Sequence, residues 1–157
     1  MWRIIGGSSA WAAQGRQAIA IVICCGSGGV AELRPFEGLR ILIAEDNLFA
    51  AMELEQALVD LGCAPVGPVA QVNDAMRLAR QGNLDAALLD VDLRGEQVFA
   101  VAAELERRGV PVIFASGYDQ DEAFPAPFAR HPRLGKPYSE DALRRVLEVA
   151  TRRPSDA

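Results

Sequence analysis

Short apolar runs alternate with helical patterns along most of this chain, and a polar group ends each run. Arg40–Ala44, Ala86–Leu89 and Val110–Ala115 each predict a buried strand. Between them, apolar residues recur at intervals of three and four, which is typical of helices that cover a sheet. The alternation predicts an α/β fold, in which a doubly wound parallel sheet carries helices on both faces.

Weaker patterns complete the predicted sheet and its helices. Ala64–Ala70 indicates a strand interrupted by prolines, and Arg133–Gly135 indicates a short last strand. Side chains that accept hydrogen bonds from the first amides of a helix favour its start. The expected caps are Asn47 or Asp46 for the first helix, Asn73 for the second and Ser139 for the last.

Composition supports one compact domain and excludes several functions. The chain has 157 residues, is 50% apolar and carries a formal charge of −5. Without a dense basic run it lacks the charge that nucleic-acid binding needs. Its longest apolar run, Ala18–Cys25, is far below the roughly 20 residues that span a bilayer. The cysteines at 24, 25 and 63 form no CxxC pair, so we expect free thiols and a cytoplasmic protein.

Residues 1–37 differ in composition from the rest of the chain. They are rich in glycine and serine and show no sustained period, which predicts a low-complexity, disordered leader. There are two alternatives to a disordered leader: residues 1–37 contain a signal peptide, or the true reading frame starts near Val30. We therefore expect a leader over 1–37, a folded domain over 38–151 and a short tail over 152–157.

Polar side chains gather at the carboxyl ends of the predicted strands. In a doubly wound sheet these ends meet at one edge, where such folds carry their functional groups. The residues concerned are Glu45, Asp46, Asp90, Asp92, Ser116 and Lys136, the last being the single lysine of the chain. We expect them to form one site.

Clustered carboxylates need a positive partner. Two like charges about 4 Å apart repel by about 4 kcal/mol at an effective dielectric of about 20. Carboxylates and a backbone carbonyl suit Mg²⁺, and Lys136 adds a second positive charge. Such a pocket suits an aspartyl-phosphate, because the metal and the lysine neutralise an incoming phosphoryl group while one carboxylate attacks it.

Four motifs, in this order and spacing, resemble the receiver domain of two-component response regulators. They are Glu45-Asp46-Asn47, Leu88-Leu89-Asp90-Val91-Asp92, Ile113-Phe114-Ala115-Ser116 and Lys136-Pro137. The resemblance covers residues 38–151, which would then be the receiver domain. The stretch Phe114-Ala115-Ser116-Gly117-Tyr118 further resembles the FAT GUY subgroup of single-domain receivers.

The resemblance implies a flavodoxin-like (CheY-like) three-layer sandwich of five strands in the order 2-1-3-4-5. It implies that Asp90 is the phosphoacceptor, and that Ser116 and Lys136 contact phosphoryl oxygens. The same resemblance implies that Mg²⁺ binds Asp46 directly, Glu45 through water and Asp92 through its backbone carbonyl, with Asp90 as a further metal residue. The Lys136–Pro137 peptide bond would be cis.

The resemblance also implies partners. A sensor histidine kinase or a histidine phosphotransfer protein would donate the phosphoryl group. Six residues after Thr151 are too few for an output domain, so we expect a downstream protein target or a phosphate sink. The domain would be a monomer or a weak homodimer. It would not be an enzyme, because it would catalyse only its own phosphorylation and dephosphorylation.

Two alternatives stay open at this point. A pseudo-receiver adaptor would bind partners without phosphorylation, and a haloacid dehalogenase-like phosphatase would use Asp90 and Asp92 as its DxD pair, although Arg94 stands where Thr or Val is usual.

Arg133 departs from the receiver pattern, since many receivers have an aromatic switch residue there. The single histidine, His131, is predicted to be a solvated surface residue. The proline-containing stretch Asp119–Arg130 predicts no continuous helix.

Overall fold

The structure, a computed structural model, describes residues 36–117 and 124–152. The predictions for the leader up to residue 35, for Tyr118 and for the end of the tail lie outside these residues. Phe36 precedes the expected domain boundary, yet it is 2% exposed and packs into the core. None of the helices in the described part of the chain is long and apolar enough to cross a membrane.

Among the residues that the structure describes, five parallel strands form the central sheet, and two short strands pair as a separate antiparallel hairpin. In chain order the strands are β1 (Arg40–Ala44), β2 (Ala64–Val69), β3 (Ala86–Asp90), β4 (Asp92–Leu93), β5 (Glu96–Gln97), β6 (Val112–Ser116) and β7 (Arg133–Gly135). The sheet order is β2-β1-β3-β6-β7. Counted over the five sheet strands this is 2-1-3-4-5, so the predicted fold class and strand order are confirmed. The hairpin of β4 and β5 was not predicted.

In residues 36–117 and 124–152, four α-helices cover the sheet. They are α1 (Leu48–Asp60), α2 (Val72–Gln81), α3 (Phe99–Arg107) and α4 (Glu140–Thr151), and a 3₁₀ turn covers Ala126–Phe128. Within the described part of the stretch Asp119–Arg130, this turn is the helical element, in line with the prediction of no continuous helix.

Alternate residues of the strands face two separate cores, which makes the domain a three-layer sandwich. Leu42 and Leu89 face the core covered by α2 and α3, whereas Ile43 and Leu88 face the core covered by α1 and α4. This is the expected consequence of the two-residue period of a strand that is buried on both sides. The sheet is thus packed on both faces, which leaves its carboxyl edge as the place where polar side chains can gather.

Two of the three predicted helix caps are confirmed, and one is wrong. Asn47 accepts hydrogen bonds from the amides of Phe49 and Ala50 at 3.0 and 3.2 Å, and Ser139 caps α4. Asn73, however, lies inside α2, whose cap position is occupied by Gln71 without a side-chain hydrogen bond. The helix starts earlier because Val72 packs against the core under α2 and α3.

Replacing Asn47 by alanine is expected to lower the free energy of unfolding by about 1 kcal/mol, because two amides at the start of α1 lose their acceptor. Urea denaturation followed by circular dichroism measures the change. Gln71→Ala at the cap of α2 is the matched control, since no side-chain cap bond is lost there. Equal losses in both variants would contradict the capping role of Asn47.

The prediction for His131 is wrong. Its side chain is 16% exposed, its Nε2 atom lies 2.8 Å from Oε1 of Glu106, and its ring packs on Phe114 and Phe128. Phe128 of the 3₁₀ turn packs against Phe114 of β6, and His131, three residues later, joins the same aromatic cluster. A lone histidine beside proline gives no sequence signal for such packing.

Candidate functional site

The carboxyl ends of β1 and β3 bring three acidic side chains together. These strands are neighbours, with Ala44 opposite Leu89, so Glu45 and Asp46 emerge beside Asp90. One carboxylate oxygen from each of the three lies within 4.8 Å of the others, a spacing that could hold a metal ion. The predicted acidic cluster therefore forms, and parallel strand register is what places it.

Lys136 joins this cluster from the carboxyl end of β7. Its Nζ atom lies 2.5 Å from Oε2 of Glu45 and 2.6 Å from Oδ2 of Asp90. Its backbone amide donates a hydrogen bond to the carbonyl of Ser116, at 2.9 Å. The side chain of Lys136 is 24% exposed, so the ammonium bridges two carboxylates with little water around it. One cation therefore offsets the repulsion between Glu45 and Asp90.

Burial sets the protonation behaviour of this pair. Burial raises the pKa of Glu45, which is 3% exposed, while the hydrogen bond with Lys136 opposes the rise. For Lys136, burial acts to lower the pKa, but the hydrogen bonds to Asp90 and Glu45 outweigh it, so the pKa lies above its ordinary value. The lysine is therefore charged at neutral pH.

The loop after β3 holds the remaining acids in defined contacts. The amide of Arg94 donates to Oδ2 of Asp46 at 3.2 Å, and the amide of Gly95 donates to Oδ1 of Asp92 at 2.7 Å. The amide of Asp92 itself donates to Oδ1 of Asp90, at 3.3 Å. The side chain of Asp92 thus accepts a hydrogen bond within its own turn. The role in metal binding expected for its backbone carbonyl stays a prediction.

Ser116 is the last residue of β6 and is 6% exposed. It lies in register with Gly135, directly before Lys136. The structure thus brings it to the same edge as the acids and the lysine, as the sequence predicted. Its hydroxyl role stays a prediction.

Arg133 lies on β7, and its guanidinium carbon is 4.0 Å from the centroid of the Phe124 ring. A guanidinium over an aromatic face is a favourable cation–π arrangement. An aromatic ring therefore lies next to this position, although it comes from the segment after β6 rather than from β7.

Sequence reasoning missed Tyr138, which follows Lys136 by two residues and contacts the first turn of α1. Its hydroxyl donates a hydrogen bond to the carbonyl of Ala50 in the first turn of α1, at 2.9 Å. Burial raises the pKa of Tyr138 to about 12. An aromatic residue directly after Lys136-Pro137 was a possible signal, but its partner on α1 is 88 residues away in sequence. The Lys136–Pro137 bond is cis, as predicted, and so is Gly67–Pro68.

Sequence reasoning also missed an apolar surface on the start of α1. Leu48, Phe49 and Met52 are 66%, 78% and 56% exposed, and they directly follow the acidic residues of the site. Large apolar side chains exposed together usually mark a contact surface for another molecule. We call these three residues the α1 patch.

The donor set of the pocket fits a hard divalent cation. Three carboxylates converge there, and Mg²⁺ typically takes oxygen ligands from one or two carboxylates while leaving room for phosphate. Taken together, the fold and this pocket define a doubly wound α/β domain with an acidic, lysine-bridged site at the switch point of its sheet.

Comparison with known proteins gives the family. The family model described as the response regulator receiver domain matches residues 41–148. The solution structure of SdrG from Sphingomonas melonis Fr1 is 38% identical and aligns with a TM-score of 0.66, covering 72% of this chain and 96% of that one. The chain belongs to the response regulator receiver domain family. FAT GUY membership stays a prediction, since Tyr118 lies outside the described residues.

Two further relatives extend the comparison. The receiver domain of the sensor histidine kinase PA1611 from Pseudomonas aeruginosa PAO1 is 27% identical, with a TM-score of 0.63, covering 73% of this chain and 98% of that one. Its crystal structure has a magnesium ion coordinated in the active site cleft. The sensory transduction protein LytT of Bacillus subtilis strain 168 is 28% identical over 124 residues, 70% of this chain but 47% of that protein. The chain thus spans about half the length of this curated relative.

Proposed function

We propose that this receiver domain accepts a phosphoryl group on Asp90 in the presence of Mg²⁺ and passes the signal to another protein or serves as a phosphate sink. The observation that carries the proposal is the ammonium of Lys136, which bridges Glu45 and Asp90 beside Asp46. A purely structural ion pair needs no third carboxylate, whereas a phosphoryl group needs both a metal pocket and a second cation.

Each residue has a distinct role in the proposed reaction. A carboxylate oxygen of Asp90 attacks phosphorus as the bond from phosphorus to the donor's leaving atom breaks. Lys136 leaves its ion pair to neutralise one phosphoryl oxygen, and the hydroxyl of Ser116 donates a hydrogen bond to another. Asp46, Asp90 and the carbonyl of Asp92, with Glu45 through water, would hold the metal. Bound Mg²⁺ supplies charge neutralisation for the transferred group.

The magnesium assignment draws support from the receiver domain of PA1611, whose cleft coordinates that ion. Its test is incubation of the protein with Mg²⁺ and acetyl phosphate, followed by intact-mass measurement. We expect a mass increase of one phosphoryl group that disappears when EDTA replaces the metal. A protein that never gains this mass would instead be a pseudo-receiver adaptor.

A histidine-bearing protein is the proposed natural donor. The chain's own histidine, His131, is in the aromatic cluster around Phe114, so the phosphohistidine must come from a partner. The α1 patch offers an apolar docking surface directly beside the acids, which a small phosphodonor does not need. A sensor histidine kinase or a phosphotransfer protein fits, and the proposal includes a cytoplasmic, monomeric or weakly dimeric receiver.

Replacing Phe49 by aspartate is expected to separate the two kinds of donor. Phe49 is 78% exposed, so the variant should fold normally and accept phosphate from acetyl phosphate at the wild-type rate. Transfer from the cognate histidine protein should fall by about tenfold or more, because a buried charge disrupts an apolar interface. Val149→Asp, at the exposed end of α4, is the control for surface charge. Unchanged transfer in Phe49→Asp would contradict docking on α1.

A further inference from the structure

Two contacts tie the connection between β7 and α4 to the connection between β1 and α1. The first is the Lys136 ammonium on Glu45, and the second is the Tyr138 hydroxyl on the carbonyl of Ala50. Lys136 and Tyr138 are separated only by Pro137. The two ties are therefore made by one short segment, and they end on the two sides of the start of α1.

The start of α1 is itself joined to the site, which closes a ring of contacts. The amide of Asn47 donates to Oε1 of Glu45 at 3.1 Å, while Lys136 holds Oε2 of the same carboxylate. The path thus runs from Glu45 through Lys136 and Tyr138 to Ala50, and back through the first turn of α1 to Glu45. A closed ring restricts its members more than an open chain of the same contacts does.

We propose that Tyr138 is a positioning residue for phosphoryl transfer, whose hydroxyl holds the Lys136 segment against α1 so that the ammonium faces Asp90. This inference rests on the proposed function of the site. It assigns no chemical step to Tyr138, because its hydroxyl contacts Ala50 and not the acidic cluster.

The aromatic side chain and the hydroxyl of Tyr138 have separable roles. The six-membered aromatic ring is half-buried and packs against the core formed with α1 and α4, and the side chain of a phenylalanine would pack in the same way. The hydroxyl makes the directional contact, and it stays protonated as a donor at neutral pH. Removing the oxygen alone therefore opens the ring of contacts while leaving the packing in place.

The experiment compares Tyr138→Phe with the wild type in phosphorylation by acetyl phosphate across a range of Mg²⁺ concentrations. We expect the rate at saturating Mg²⁺ to fall about fivefold, the size of one neutral hydrogen bond, because the lysine is less well placed in the transition state. The half-saturating Mg²⁺ concentration should not change, since the hydroxyl contacts none of the three carboxylates. Thr151→Val, which removes another hydroxyl-to-carbonyl bond in α4, is the matched control and should keep the wild-type rate.

A second background shows whether Tyr138 acts through Lys136. In a Lys136→Met protein, which has no ammonium to position, adding Tyr138→Phe should lower the residual rate no further. An equal rate in Tyr138→Phe and wild type, a full additional loss in the Lys136→Met background, or a parallel loss of Mg²⁺ affinity would each overturn the inference. Thermal melts give the folded fraction of each variant, and each phosphorylation rate is divided by that fraction. A wild-type protein that accepts no phosphate would overturn the proposed function itself, which distinguishes the two failures.

Discussion

Asp90→Asn is expected to accept no phosphoryl group from acetyl phosphate or from a histidine protein, a loss of at least about a thousandfold in rate. Asparagine keeps the shape of the side chain and lies at the same end of β3, but its amide is not a nucleophile. The variant also keeps an oxygen for the amide of Asp92, so the loop after β3 should keep its course. Intact-mass measurement after incubation with Mg²⁺ and phosphodonor gives the result directly.

Asp85→Asn is the matched control for this variant. Asp85 directly precedes β3, at the opposite end of the strand, where it accepts a hydrogen bond from the amide of Arg40. It should therefore take up phosphate at the wild-type rate. Phosphate that persists in Asp90→Asn, located by peptide mapping on another carboxylate, would show that Asp90 is not the acceptor.

The second large effect is expected on stability, from Lys136→Met. Methionine fills a similar volume but leaves Glu45 and Asp90 without their shared cation, and their side chains are 2% and 13% exposed. Removing one partner of a buried ion pair leaves an uncompensated charge. We expect the free energy of unfolding at neutral pH, without Mg²⁺, to fall by about 3 kcal/mol, the low end of the range for a buried pair because Lys136 is 24% exposed. Urea denaturation measures it.

The sign of the pH dependence follows from Glu45. Its pKa in the folded protein lies above its unfolded value, because burial disfavours the charged form. The stability that comes from protonated Glu45 is therefore complete below the unfolded pKa and is lost as the pH rises through the folded pKa. Without Lys136 the pKa of Glu45 rises further, so Glu45 takes up a proton more readily and its buried charge is lost. The difference in free energy of unfolding between Lys136→Met and wild type should therefore shrink as the pH falls from 8 towards about 5.

Magnesium should also reduce the difference in free energy of unfolding between Lys136→Met and wild type, because a divalent cation in the same pocket supplies the missing positive charge. Arg77→Met is the control, since its ion pair with Asp74 on α2 is largely exposed and contributes little to stability. If Lys136→Met were as stable as Arg77→Met in metal-free buffer, the carboxylates would not depend on the lysine.

Local patterns were sufficient to predict most of the framework. The apolar runs that became β1, β3 and β6 are each buried on both faces, so their composition differs clearly from that of the loops. Strand order did not follow from these patterns. It came from the resemblance carried by the four motifs, because a strand's own residues do not specify which neighbour it pairs with.

The errors and omissions over His131 and Tyr138 concern contacts between residues far apart in sequence, whereas the error over Asn73 is local. His131 was placed in solvent because its burial depends on contacts with Phe114 of β6 and Phe128 of the 3₁₀ turn. Tyr138 was missed because its partner is a backbone carbonyl, and any residue carries one. Asn73 was assigned as a cap on its residue type alone, whereas the packing of Val72 decided where α2 begins.

The spacing of the site along the chain has a consequence for its biogenesis. Lys136 lies 91 residues after Glu45 and 46 residues after Asp90, and it reaches them from β7, a strand of three residues at the edge of the sheet. A ribosome therefore delivers all three carboxylates before it delivers their cation. Until β7 pairs with β6, the acids lack the ammonium that offsets their repulsion. The charge balance of the whole pocket therefore depends on the docking of the shortest strand of the sheet, at its edge.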